Sequence, residues 1–241
     1  MLPERSHIVF LCIAVTLALA LPLLALIFGA APRALLLGGL AWLVAVVLKL
    51  IAAGLLRVFM DSPSTPVGQI RLAAFHGALS ATTELGTAGL LFPYRGRGVG
   101  SLVDVVAFGL GAWALEVLFV TMASLARRLQ HVADSDRQHH RWLLGARRSI
   151  WVRGAALWER LAALANHVGA RCVIVTAVPC GARIAMIIAW LGFAIVDGVA
   201  AWGHISGWDW FELSVLRRYY SLILALGGIQ LLVFVALRIA C

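Results

Sequence analysis

Trp158-Glu159-Arg160-Leu161-Ala162-Ala163-Leu164-Ala165-Asn166-His167 sets strongly polar side chains inside a run that otherwise reads as membrane-spanning. An ionisable group at the centre of a helix in hydrocarbon costs at least ~2.5 to 3.5 kcal/mol, so such groups face protein, a partner or a water-filled cavity. Seven residues, nearly two turns, separate Arg160 from His167, which puts both on one face about 10 Å apart along the axis, with Glu159 beside them. Ala162, Ala163, Ala165, Gly169 and Ala170 are small enough to let neighbouring helices come close. The segment therefore predicts a membrane helix that meets polar groups on other helices. For Glu159 and Arg160 alone, snorkelling to the interface explains the residues equally well.

Composition extends this reading to the whole chain. Of 241 residues, 62% are hydrophobic and 13% charged, and the mean hydropathy is +0.95, far from the roughly half-apolar usage of soluble domains. Seven apolar runs cover 7–29, 35–59, 70–92, 101–125, 153–178, 183–203 and 215–240. Each has the ~20 residues needed to cross a ~30 Å core. Lipid offers no partner to backbone N–H and C=O groups, so the runs must be helices. The expected fold is all-α, a polytopic bundle of about seven transmembrane helices forming a single integral membrane domain, 1–241. The first run follows Arg5 and precedes Ala30-Ala31, but its apolar stretch exceeds the ~7 to 15 residues of a signal peptide and reads as a retained anchor.

The net charge of +9 reports topology. Arg127, Arg128, Arg137, Arg141, Arg147 and Arg148 crowd the connection 126–152, with Arg153 at its edge. A cytoplasmic position for it also brings Arg5, Arg57, Arg71, Arg217 and Arg218 inside, and leaves Arg33, Arg95, Arg97, Arg183 and Arg238 outside. The expected arrangement is a multi-pass protein of the cell membrane with its N-terminus cytoplasmic and its C-terminus outside. The connection also carries His131, His139, His140, Trp142 and Trp151, a composition suited to anionic lipid and the acyl boundary. It is too short to suggest nucleic acid; the expected partners are membrane lipid and a membrane protein or peptide. Cys12, Cys172, Cys180 and Cys241 have no CxxC spacing and suggest neither a zinc knuckle nor a disulfide framework.

Further intramembrane polar residues fall in the other runs. Lys49 lies too deep to snorkel and is expected to pair with a buried acid. His76, Ser80 and Glu84 follow at four-residue steps and form a polar stripe. Glu116 shares a face with Gly109 and Trp113, and Asp197 stands alone in the sixth run with His204 seven residues later. Carboxylate oxygen and imidazole nitrogen are the usual donors for zinc and similar ions. No HExxH occurs.

In this order the residues resemble the YhfC family, a branch of the intramembrane metalloproteases related to the CAAX-processing and PrsW proteins. Glu159-Arg160 followed by small residues and His167 is the best match, Gly109-Leu-Gly-Ala-Trp-Ala-Leu-Glu116 is similar to the family's Gly-x-Gly-His-x-x-x-Glu element, and Ala78–Glu84 and Phe193–Asp197 are similar to its first and last elements. The resemblance implies a polar cavity between helices three to six. It implies His167 and Asp197 as metal ligands, with zinc as the cofactor, Glu84 as the base activating a metal-bound water, and Glu116 as a supporting catalytic group. The chain departs from the pattern: the motif histidines fall on Ala112 and Ala194, the first motif's second glutamate on Leu85 and its arginine on Ala88. A two-histidine site would have to recruit His76. The expectation is a degenerate, non-catalytic member acting as a membrane accessory or binding protein; the alternative is an active metallopeptidase with a rewired site. A proton or ion pathway is a third option, against which stands the lack of an inverted repeat or paired broken helices.

Overall fold

A computed structural model describes residues 3–57, 65–92, 100–129 and 149–241. The described residues form eight helices and no strand: α1 (Pro3–Ile27), α2 (Pro32–Arg57), α3 (Pro66–Leu91), α4 (Leu102–Leu129), α5 (Ile150–Arg153), α6 (Ala155–Cys180), α7 (Arg183–Ile205) and α8 (Leu213–Ala240). Most of the basic connection, including His131, His139, His140 and Trp142, lies outside the described residues, as do the turns expected around Asp61 and at 93–98.

Local chemistry sets the helix ends. Thr65 caps α3 by accepting a hydrogen bond from Gly68 N at 3.2 Å, and Pro66 follows where a missing N–H costs nothing. Ser149 caps α5 through Trp151 N. Gly181, at φ 65°, ends α6 in a left-handed conformation that turns the chain directly into α7.

The seven long helices alternate in direction. At one end of the bundle, Ala31 N donates to Asp104 Oδ1 at 2.7 Å, the rings of Phe92 and Phe108 lie 5.3 Å apart, and Arg238 Nη1 donates to Gly100 O at 3.0 Å. At the other, Phe10 meets Trp158, and Tyr220 Oη donates to Ala155 O at 2.9 Å. The centre belongs to α6, which touches α1, α3, α4, α7 and α8. The sequence suggested no disulfide, yet Cys180 and Cys241 are joined, their Cα atoms 6.2 Å apart. Sequence spacing misses the pair because it links the C-terminal ends of α6 and α8, 61 positions apart, and only the parallel packing of these two helices brings the ends together.

Small residues let the helices approach backbone to backbone. A Cβ on Gly38 would stand 1.9 Å from Phe108 O, and one on Gly111 2.1 Å from Leu35 O, so α2 and α4 meet without side chains between them. A Cβ on Gly77 would stand 2.1 Å from Ala194 O, which defines the same kind of seam between α3 and α7. Many large apolar side chains point outward: Leu23, Leu36, Leu50, Ile184, Leu232 and Ile239 are all exposed. An apolar periphery of this kind suits lipid and not water.

Among the described residues six helices, α1, α2, α4, α6, α7 and α8, are long and apolar enough to cross a membrane. The expected count of about seven is therefore not met on these terms. The run 70–92 does form a helix of 26 residues, α3, about 39 Å long at 1.5 Å per residue. What it lacks is apolarity, because Gln69, Arg71, His76, Ser80, Thr82, Thr83 and Glu84 all lie in it, and α3 packs against α2, α6 and α7.

Candidate functional site

Five helices send charged side chains to one place. Glu84 on α3 is 3% exposed and receives a cation on each oxygen: Lys49 Nζ from α2 lies 2.5 Å from Oε1, and Arg171 Nη2 from α6 lies 2.5 Å from Oε2. Lys49 also donates to Ser80 Oγ at 3.1 Å, and Ser80 Oγ donates to Asp197 Oδ2 on α7. In the other direction, Arg171 Nη1 meets His167 Nδ1 at 2.9 Å and His167 O at 3.2 Å, one turn back on the same helix. The ring of His167 then places Nε2 3.0 Å from Glu116 Oε2 on α4. Arg160 closes the chain, with Nη1 2.5 Å from Glu116 Oε1 and Nη2 2.5 Å from Glu159 Oε1.

Arginine has only donors, so His167 Nδ1 must accept from Arg171 and the ring proton resides on Nε2, facing Glu116. The approach of Nε2 to Glu116 Oε2 is off-line, and that oxygen has no hydrogen-bond partner. Phe193 packs edge-on to the His167 ring at 5.2 Å and lies under the Arg171 guanidinium at 5.7 Å, so an apolar face steadies both groups. Trp113 Nε1 donates to Arg160 O at 2.9 Å and ties α4 to α6 beside the Glu116 pair. Along the whole chain three cations, Lys49, Arg160 and Arg171, face four carboxylates, Glu84, Glu116, Glu159 and Asp197. A single shared proton brings the network to neutrality.

Of the residues the sequence singled out, Glu84, Glu116 and His167 come together, and Lys49 pairs with a buried acid as expected. Asp197 joins through Ser80. His76 stays apart: it is exposed and lines, with Lys49, Ser80, Asp197 and His204, a cavity of about 380 Å³ that reaches the network from one end. Arg171, fully buried, is the residue that sequence reasoning missed. The signal was present, since Arg171 continues the face of Arg160 and His167 by another four residues.

A metal ion does not fit this arrangement. Both oxygens of Glu84 are matched to cations, His167 Nδ1 is held by a guanidinium, and a divalent ion at their midst would sit against Lys49 and Arg171. Among the described residues no three histidine, cysteine or acidic side chains are gathered in a metal-binding cluster. Cys172, the buried thiol nearest in sequence, is turned away and lies 3.7 Å from Val105 O. No protein-family model, curated protein or solved structure matches the chain.

Proposed function

We propose that this chain is a multi-pass membrane protein in which a site of the YhfC type has been converted from metal chemistry to structural use, and that it acts as an accessory or binding protein for other membrane components. The observation that carries this reading is the pair of cations on Glu84. A carboxylate acting as general base toward a metal-bound water needs a free lone pair and a metal within reach. Here Lys49 and Arg171 take both oxygens, and Arg160 takes one oxygen of Glu116. Ala112 and Ala194, at the positions of the missing motif histidines, support the same conclusion.

In this proposal α3 is a seventh crossing helix that turns Ser80 and Glu84 toward its neighbours, so that α1 begins and α8 ends on opposite sides. The arginine-rich connection 126–152 is cytoplasmic by the positive-inside rule. Cys180 and Cys241 then lie on the far side, where disulfides persist.

The test is metal content and stability measured together on the purified full chain and on His167→Ala. A structural imidazole predicts sub-stoichiometric zinc in both proteins and a destabilisation of about 0.6 kcal/mol, the average of interhelical polar contacts in a membrane protein. Stoichiometric zinc in the parent, lost in His167→Ala together with cleavage of membrane-embedded peptide substrates, would establish the active metallopeptidase instead.

A further inference from the structure

We infer that the cavity between α6, α7 and α8 at the α1-start end of the bundle binds a phospho-ammonium headgroup, with ethanolamine or choline as the ammonium. The cavity measures about 400 Å³, within the usual range of small-ligand sites. It lies where α7 gives way to the turn 206–212, at the level expected for lipid headgroups if the apolar helices span the hydrocarbon.

Its lining has two kinds of group. Arg153 Nε and Trp210 Nε1 are buried N–H donors without a hydrogen-bond partner, and both residues line the cavity. A buried donor left unpaired is costly, so the pair calls for an acceptor such as a phosphate oxygen. Glu159 and Asp209 bring carboxylates to the same space, the Glu159 side chain being 41% exposed. Around them stand Trp208, Trp210 and Tyr219, with the Trp208 and Trp210 centroids 5.6 Å apart and the Trp210 and Tyr219 centroids 5.3 Å apart. Aromatic faces beside carboxylates are the usual surroundings of an alkylammonium group. A single anion would leave the carboxylates facing it, and a single cation would leave the two donors unpaired. A ligand that carries phosphate and ammonium two carbons apart satisfies both halves.

This headgroup chemistry can come from a bilayer phospholipid or from a free phospho-ammonium compound, and competition separates the sources. The full chain in detergent is offered an equimolar mixture of phosphatidylethanolamine, phosphatidylcholine and phosphatidylglycerol with identical acyl chains, and retained lipid is counted by native mass spectrometry. The expected result is one ethanolamine or choline lipid retained about tenfold over phosphatidylglycerol, a ratio within reach of a desolvated cation–π contact. Trp210→Phe keeps a ring and removes the N–H, and Glu159→Gln removes the carboxylate; each should bring the ratio toward one. Trp210→Phe decides the matter if Glu159→Gln, which also releases Arg160, fails to fold. Displacement of the lipid by millimolar glycerophosphocholine supports the site and assigns it to a soluble ligand; resistance to displacement supports it and assigns it to lipid. Equal retention of phosphatidylglycerol, or a preference unchanged in both variants, overturns the inference.

Discussion

Replacing Arg171 with methionine keeps most of the side-chain length and removes the charge 2.5 Å from Glu84 Oε2. Neither partner has access to water, since Arg171 is fully enclosed and Glu84 is 3% exposed. Breaking a buried pair from one side costs ~3 to 5 kcal/mol because the remaining charge is stranded. Lys49 still holds Oε1, so the lower end, about 3 kcal/mol, is expected. Ordinary interhelical polar contacts in membranes average ~0.6 and reach ~1.7 kcal/mol, which leaves a clear gap between the two accounts. Adding Glu84→Gln to Arg171→Met removes the stranded charge and should recover part of the loss, with a coupling energy of about 2 kcal/mol in the double-mutant cycle. The assay is reversible unfolding of the four proteins in mixed micelles titrated with a denaturing detergent. A loss below about 1 kcal/mol for Arg171→Met, with additive effects in the double variant, would refute the claim that this ion pair organises the core.

The helix seams give a second prediction: Gly38→Ala and Gly77→Ala, whose new Cβ atoms would meet backbone at 1.9 and 2.1 Å, should each destabilise by ~1 to 3 kcal/mol, while Gly86→Ala, with nothing within 4 Å, should be neutral or stabilising by up to about 1 kcal/mol. Equal effects at all three sites would argue against close backbone contact. In the unfolded chain only Cys12 and Cys172 should react with an alkylating reagent until a reductant frees Cys180 and Cys241, and four reactive thiols before reduction would show that the bond does not form. Finally, in a chain with Cys12 and Cys172 replaced by serine, Ser135→Cys should be protected from a membrane-impermeant thiol reagent on intact cells; ready labelling from outside would invert the proposed topology.

Much of the architecture was legible in the sequence because membrane helices declare themselves by uninterrupted apolarity, and six of the seven runs returned as helices apolar enough to span. The run 70–92 shows the limit of that signal. A helix that packs one face against its neighbours can carry Glu84 and Ser80 inward on that face, and mean hydropathy cannot distinguish this from a polar helix outside the membrane. At the site, isolated charges in apolar runs marked Lys49, Glu84, Glu116 and His167, which the fold brings into one network. Beyond an acid for Lys49 they did not say which residues pair, because pairing depends on rotation and depth of each helix. Arg171 was hidden for a related reason: attention to metal ligands favours acids and histidines, whereas the group that completes this site is a guanidinium. His76 illustrates the converse, since the stripe with Ser80 and Glu84 drifts around α3 and leaves it exposed at the cavity mouth.

The contact of Gly77 with Ala194 and Gly198 lies within one turn of Asp197 and one turn of Ser80. Mechanically it is a fulcrum. Where two backbones touch, no side chain can repack to absorb sliding, so α7 can tilt on α3 far more easily than it can shift along it. A tilt about that point leaves the Ser80–Asp197 link nearly still, while the Arg183 end, about 20 Å from the centre of the contact, and the Ile205 end, about 14 Å from it, swing in opposite directions. The same lever carries His204 at the mouth of one cavity and the Trp208–Trp210 turn at the wall of the other. A tilt of α7 about this point would therefore move the linings of both cavities together, with the polar core at its pivot.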